Sequence, residues 1–347
     1  MNTKIHEMDI IDGFSMVSRQ NNPKRQYAMV HNDLGKIGPV FPQEAIKLVK
    51  DMIQGGIEFG RGPIIGLSES SILLGRMVSE FITHSSFIFS SRYASTGMVA
   101  FSEPHSHAPV QYLKLDLIKD ASEVCIMEDE ITSGNTILNL IQTLLDEMPN
   151  LVNLRVVSLK MLCQDYRIKE LESIISELGV KVSFASLYRG SNGEIDPLAP
   201  KSTLKAPNNL QPFNSNLEIG RGRTKLFSGP EVRQALWEPL LDILPANVCI
   251  IGVSEAIDMA FEISYFLTAH GRVSTFRQLT ISPWELPGWV FPGFQPLHLY
   301  YPPDKGGVYL IVYDQPAQKD QVYMLKSRLL DQESQVYVMG PEMDGSL

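Results

Sequence analysis

The chain has 347 residues, 44% hydrophobic and 20% charged, which is enough for two domains with real cores and ordinary for a soluble globular protein. Its net charge of −9 excludes a general nucleic-acid surface, which needs a basic stripe, and leaves room only for a local basic patch. No apolar run is long enough to span a bilayer, and Met1 to Asp9 is polar and charged rather than a signal peptide, so a cytoplasmic protein with no membrane contact is expected.

After an opening amphipathic segment, apolar spacing predicts a helix near Gln43 to Ile53, a strand at Ile64, a helix from about Ser71 to Phe81 and a strand at Phe87 to Ser90. Residues 91–115 are less regular and rich in His, Ser and Pro. Val124 to Met127 are four apolar residues in a row, a strand buried on both faces, and Ile137 to Met148 follows with helical spacing. A strand at Leu154 to Leu159, a helix at Tyr166 to Leu178 and a strand at Lys181 to Leu187 complete an alternation that implies a parallel sheet. Residues 191–216 carry Gly, Ser, Asn and Pro with few large apolar side chains and read as a linker. The expected division is therefore a first domain over 1–190 and a second over 217–347. Cys125, Cys163 and Cys249 each lie in or beside an apolar run and read as buried free thiols in a reducing compartment, with no zinc-like spacing.

The second half repeats the first. Ile250-Ile251-Gly252-Val253-Ser254-Glu255 echoes Ile64-Ile65-Gly66-Leu67-Ser68-Glu69, Arg277 echoes Arg92, Tyr313-Asp314 echoes Glu128-Asp129, and Leu329-Leu330-Asp331 echoes Leu144-Leu145-Asp146. All four pairs fall in order at nearly one offset, which predicts that the second domain is a degenerate copy of the same α/β core. Two sheets with different strand orders would rule that out. The copy has Ala317 to Gln321 where the first half has Thr132-Ser133-Gly134-Asn135-Thr136, so the second half is expected not to hold ribose phosphate. Arg277 and Ser282 are candidates to line a pocket facing the first domain, and Trp284, Trp289, Phe291 and Phe294 read as core or interface.

The chemistry concentrates after the four-residue strand. Glu128 and Asp129 stand at its carboxyl end, where open α/β sheets bind ligands. Thr132, Ser133, Gly134, Asn135 and Thr136 then form a loop of hydroxyls and a glycine that leads into a helix. Such a loop offers N–H groups, hydroxyls and a helix N-terminus to a phosphate, and the two acids can face ribose hydroxyls or a Mg²⁺. The bland reading is a capped, acidic turn. Alternation turns Glu130 away, as a solvated or loop-bracing charge. Ser68, Glu69, Ser70 and Ser71 follow the Ile64 strand as a second anion-facing loop, with Gly66 permitting close backbone approach; here too a plain helix cap is the alternative. Lys36 and Arg92 are candidate phosphate contacts, with surface ion pairs as the alternative. Glu103, His105 and His107 alternate, so an extended backbone would put them on one face, as in a metal site, although no further ligand is identifiable.

The stretch from Val124 to Thr136 resembles the phosphoribosyl pyrophosphate signature of the type I phosphoribosyltransferases. Asn22-Pro23-Lys24-Arg25, Leu34-Gly35-Lys36, Gly66-Leu67-Ser68-Glu69 and Phe101 to Ala108 narrow the resemblance to the subfamily of tellurite-resistance-type operons. In that subfamily a domain named for a Thr-Arg-Ser-Pro motif follows the catalytic one, and this chain has Thr280-Ile281-Ser282-Pro283, without the arginine. The resemblance implies a type I phosphoribosyltransferase-like parallel sheet flanked by helices, followed by a second α/β domain. It implies Mg²⁺-dependent transfer of a 5-phosphoribosyl group between pyrophosphate and a nitrogenous base, with phosphoribosyl pyrophosphate or a ribose-5-phosphate nucleotide as ligand. Glu128 and Asp129 would meet the ribose and the metal, Thr132 to Thr136 the 5-phosphate, and Ser68 to Ser71 the pyrophosphate. Residues 91–115 would close over the site, with His105 or His107 moving a proton. A homodimer is implied by the relatives. Two alternatives stand beside it: a nucleotide sensor without turnover, and a nucleotide-cleaving enzyme of a stress or defence system. No residue code names the base, for which the first thirty or so residues and the second domain are the candidate hood.

Overall fold

A computed structural model describes residues 10–11, 13–18, 27–103, 109–190, 224–225, 236–282, 284–293, 295–303 and 306–341 of the chain. It opens with β1 (Ile10–Ile11), β2 (Phe14–Ser18) and β3 (Tyr27–His31), an antiparallel sheet in that order. The helix α1 (Pro42–Gln54) follows, and then β4 (Ile64–Gly66), α2 (Ser70–Val78) with a π-helical turn over Ser79–Thr83, and β5 (Phe87–Phe89). An antiparallel hairpin, β6 (Val99–Ser102) and β7 (Val110–Leu113), precedes β8 (Glu123–Ile131), α3 (Asn135–Glu147), β9 (Asn153–Met161), α4 (Asp165–Glu177) and β10 (Lys181–Arg189). A short β11 (Thr224–Lys225) pairs antiparallel with β5.

Strands β10-β9-β8-β4-β5 form a parallel sheet in that order, as the alternation of strands and helices predicts. Val124 to Met127 have no exposure at all. Ile137, Leu140, Ile141 and Leu144 of α3, with Leu171 and Ile175 of α4, fall at helical spacing and join the same core as Ile65, Ile88 and Ile126 of the sheet. Each such fully buried leucine contributes about 1.5–3 kcal/mol relative to an exposed one.

The second half builds β12 (Asn247–Val253), the helix Ile257–Ala269, β13 (Val273–Leu279), the hairpin β14 (Gly288–Phe291) and β15 (Leu297–Tyr300), β16 (Val308–Val312), the helix Lys319–Leu330 and β17 (Gln335–Met339). Its sheet is parallel in the order β13-β12-β16-β17. Both sheets share one plan. The first strand is central, the second lies to one side, and the third and fourth lie to the other. In each, a hairpin is inserted between the second and third strands, and the chain just after the second strand bridges the hairpin: Ser91 to Tyr112, and Thr280 to His298. Gly66 and Gly252 correspond as well. A Cβ would come within 2.6 Å of the Ser71 carbonyl oxygen at the first and 2.7 Å of the Ala256 carbonyl oxygen at the second, so glycine lets each helix start close over its strand.

The division into compact units differs from the expected one. One unit is Ile46–Val232; the other joins Met1–Ala45 to Arg233–Leu347. The first 45 residues therefore group with the second half, and Thr224–Lys225 with the first sheet. The physical reason is backbone and core pairing: Val40 and Phe276 exchange N–H···O bonds at 2.9 Å, Gln278 N–H donates to Gly35 O at 2.8 Å, and Val17, Ala28, Val30 and Ile37 share a core with Trp284 and Tyr300. The linker expected over 191–216 lies outside the described residues.

Candidate active site

The acid pair sits where the apolar part of β8 ends. Glu128 lies beside Ser158 of β9 in the parallel register, one residue beyond the Met127–Gly66 pairing with β4. Its Oε1 accepts from the Asp129 N–H at 2.8 Å and from the Ser71 hydroxyl at 3.2 Å, which ties β8 to the first turn of α2. Removal from water, then the neighbouring Asp129 and Glu103 carboxylates, hold the Glu128 carboxyl well above the usual range. Glu130 instead takes the cross-strand position to Lys160 and pairs with it at 3.1 Å, both side chains largely buried.

The loop that follows is shaped by one glycine. Gly134 has φ +71°, and a Cβ there would lie 2.3 Å from Leu171 Cδ1, so both the left-handed backbone and the packing of α4 require its absence. The N-cap Gly134 offers no side chain, the Ser133 hydroxyl accepts from the Asn135 N–H only at 3.4 Å, and no acid stands in the first turn, which leaves a helix start suited to an anion. Arg167 of α4 braces the loop from behind. Its Nε donates to Ser133 O at 3.1 Å and its Nη2 to Asn135 Oδ1 at 2.9 Å, while Nη1 pairs with Glu170 at 2.7 Å. Sequence reasoning missed Arg167, because an arginine in the first turns of a surface helix carries no signal of its own.

The second loop is fixed by a buried polar chain. Ser68 N–H donates to Ser90 Oγ at 2.8 Å and the Ser68 hydroxyl donates to Ser90 O. The Ser90 hydroxyl in turn donates to Gln111 Oε1, and Gln111 Nε2 donates to Glu103. Ser90 and Gln111 are fully buried, so the hairpin β6–β7 is coupled through them to the Ser68–Ser71 turn. Ser70 and Ser71 are buried at the start of α2, and Glu69 is buried just before it. Asn139 of α3 also ties the hairpin, donating to Ser102 O at 3.0 Å. Glu103, expected to alternate with the histidines on one face, is thus engaged by Gln111 and stands near Glu128. Gln111 was missed as well; the only hint was a lone polar residue between the apolar positions of a short strand.

The structure brings together Ser71 and Glu128 by direct hydrogen bond, and places Glu128, Asp129, Thr132, Ser133, Gly134, Asn135, Thr136, Ser68, Glu69, Ser70 and Arg92 in the same unit. Arg92 is half-buried just beyond β5. Lys36 belongs to the other unit, where it is buried with Nζ 5.6 Å from the Trp284 ring centroid. His105 and His107 lie outside the described residues, as do Asn22 to Arg25, Pro283 and Phe294. For a magnesium ion the donors fit a site completed by substrate: two adjacent carboxylates, Glu128 and Asp129, and, among the described residues, no group of three or more His, Cys, Asp or Glu able to hold a metal alone. No helix among the described residues is long and apolar enough to cross a membrane.

The sequence profile of a family described as phosphoribosyl transferase matches residues 14–191, just over half of the chain. The chain belongs to the phosphoribosyl transferase family. Its activity class is accordingly that of a phosphoribosyltransferase. No curated protein matches. Among solved structures, the adenine phosphoribosyltransferase of Trypanosoma brucei, in complex with AMP, pyrophosphate and ribose-5-phosphate, is similar at 16% identity and TM-score 0.39, covering 55% of this chain and 83% of that one. The adenine phosphoribosyltransferase of Saccharomyces cerevisiae is similar at 14% identity and TM-score 0.35, covering 50% and 93%. That of Giardia lamblia, complexed with 9-deazaadenine, is similar at 10% identity and TM-score 0.38, covering 52% and 94%.

Proposed function

We propose that the chain transfers a 5-phosphoribosyl group between pyrophosphate and a nitrogenous base in a Mg²⁺-dependent reaction. The observation that carries this reading is the Ser71–Glu128 hydrogen bond, which joins the acid pair ahead of the phosphate loop to the second anion-facing loop. The amides and hydroxyls of Thr132 to Thr136, held by Arg167, would anchor the 5-phosphate and so orient the ribose. Asp129 and Glu128 would face the ribose hydroxyls and stabilise positive charge as it develops at C1. Ser68 to Ser71 would hold the departing pyrophosphate, with Arg92 as a bidentate partner. Glu128 and Asp129 would hold a magnesium ion, which would supply neutralisation of the pyrophosphate charge. His105 or His107 would exchange a proton with the base.

The same reading assigns the chain to the subfamily of tellurite-resistance-type operons, in a stress or defence setting, as a cytoplasmic homodimer. The motifs Leu34-Gly35-Lys36 and Gly66-Leu67-Ser68-Glu69 support it. The second half, with Thr280-Ile281-Ser282-Pro283, would be a Thr-Arg-Ser-Pro-type domain and a degenerate copy of the first core. The shared strand order and the shared hairpin bridge support the duplication.

Calorimetric titration of phosphoribosyl pyrophosphate with Mg²⁺ into wild type, Asp129→Asn and Gly134→Val tests the catalytic reading. Binding by wild type that both substitutions abolish is expected. No binding by folded wild type would overturn it and move the nucleotide sensor and nucleotide-cleaving readings ahead.

A further inference from the structure

A second feature lies wholly in the other unit, on one face of the sheet β13-β12-β16-β17. Cys249 is the register partner of both Thr275 and Tyr309, so the three side chains share a face, and Arg277 follows Thr275 by two residues on that same face. Together with Pro287 and Tyr301, they line a cavity of about 530 Å³, a size that holds small organic ligands. All six residues belong to one compact unit.

Arg277 is the anomaly in this cavity. It is 2% exposed, among the largest fully buried side chains of the protein. Its Nη2 donates to the carbonyl oxygens of Tyr300 and, at 3.2 Å, Tyr301, while its buried Nε has no acceptor. Carbonyls satisfy donors but cancel no charge, and among the described residues no carboxylate forms an ion pair with Arg277. The groups facing it with any acidity are Cys249 and Tyr309, and burial pulls the guanidinium below its ordinary pKa. An uncompensated buried cation is costly and is ordinarily paired.

We propose that this cavity is an anion site for a small carboxylate or phosphate carried on an apolar body. The planar fork of Arg277 would take the oxyanion, and the Thr275 hydroxyl lies on the same face to assist. Tyr309, Tyr301 and Pro287 would cover the apolar body. This inference is independent of the phosphoribosyl chemistry, which lies in the other unit.

Cys249 provides a local readout. It is half-buried in the lining, and burial pushes its thiol up, so it should alkylate slowly. The experiment follows N-ethylmaleimide labelling of Cys249 by peptide mass spectrometry in the full chain, with benzoate, inorganic phosphate or neutral benzamide present. Benzoate or phosphate is expected to slow labelling by about tenfold or more at saturation, with benzamide far weaker, because a charge-assisted pair is worth roughly 10- to 100-fold in affinity. Which anion protects identifies the headgroup. Arg277→Met should lose the protection. Equal protection by benzamide, no protection by either anion, or protection that survives in folded Arg277→Met would each overturn the proposal. If Arg277→Met does not fold, the benzoate–benzamide contrast in wild type still decides. Loss of phosphoribosyl pyrophosphate binding in Asp129→Asn leaves this result untouched, so the two readings fail separately.

Discussion

Gly134→Ala puts the geometry of the proposed phosphate loop to a quantitative test. The added methyl meets two obstacles. At φ +71° an alanine has the left-handed strain of about 1–2 kcal/mol. Its Cβ would also stand 2.3 Å from Leu171 Cδ1, and relieving such overpacking costs about 1–3 kcal/mol. The expected loss is therefore about 2–5 kcal/mol, within the roughly 5–15 kcal/mol of a typical domain, so the variant should fold with a weakened loop. The two contributions separate in a Leu171→Ala background, where the clash is gone and only the strain remains. Urea unfolding of the four proteins should give a coupling of about 1–3 kcal/mol between the two sites. Phosphoribosyl pyrophosphate affinity should fall in Gly134→Ala and recover in part in the double variant. Additivity within about 0.5 kcal/mol would refute the steric account, because distant or unrelated sites behave that way.

Three further outcomes are expected. Arg167→Ala should raise KM for phosphoribosyl pyrophosphate roughly 10- to 100-fold with a smaller change in kcat, through loss of two charge-assisted bonds to the loop; Arg167→Lys should not restore it, lacking the planar fork, and an unchanged KM in Arg167→Ala would refute the bracing role. Gln111→Leu should destabilise the protein by about 1–3 kcal/mol in urea, because the buried Ser90 hydroxyl and the half-buried Glu103 carboxylate each lose a hydrogen bond; a loss below about 0.5 kcal/mol would mean the polar chain does not hold the hairpin. The Glu128 carboxyl, raised in the folded state by burial and by Asp129, stabilises the ligand-free protein fully below the ordinary glutamate range and less as pH rises through its folded value. Glu128→Gln should accordingly flatten the decline of Tm on the alkaline side of that range, and superimposable Tm–pH curves for the two proteins would count against this.

The strand, the acid pair and the glycine loop of the first half are legible because each has a local signature. Val124 to Met127 read as a doubly covered strand, and the polarity reverses within one residue at Glu128. The helices of the first half are legible to within about three residues for the same reason, as the spacing of Ile137, Leu140, Ile141 and Leu144 illustrates. What stayed hidden depends on partners distant in sequence. Nothing near Val40 announces that its backbone will pair with Phe276, so the opening strands were assigned to the wrong half. Arg167 and Gln111 look like ordinary surface residues until the loops they hold are in place. The proposed repeat is legible only as offsets between short motifs, yet those motifs fall at equivalent points of the two sheets, Ile64–Gly66 and Ile250–Gly252 both on the central strand.

The interleaving of the two units in the chain has a consequence for synthesis. Domains generally fold as units while the chain emerges from the ribosome. Here the unit Ile46–Val232 has all its strands available before Arg233 is made, whereas the first 45 residues must wait for β13 and the Trp284–Tyr300 core. During that interval Val17, Ala28, Val30 and Ile37 have no core to enter, and β2 and β3 expose apolar, hydrogen-bond-hungry edges. A nascent or truncated chain ending near Val232 should thus carry the whole first sheet alongside unpaired opening strands, and chaperone capture or aggregation of such fragments should be relieved by deleting residues 1–45.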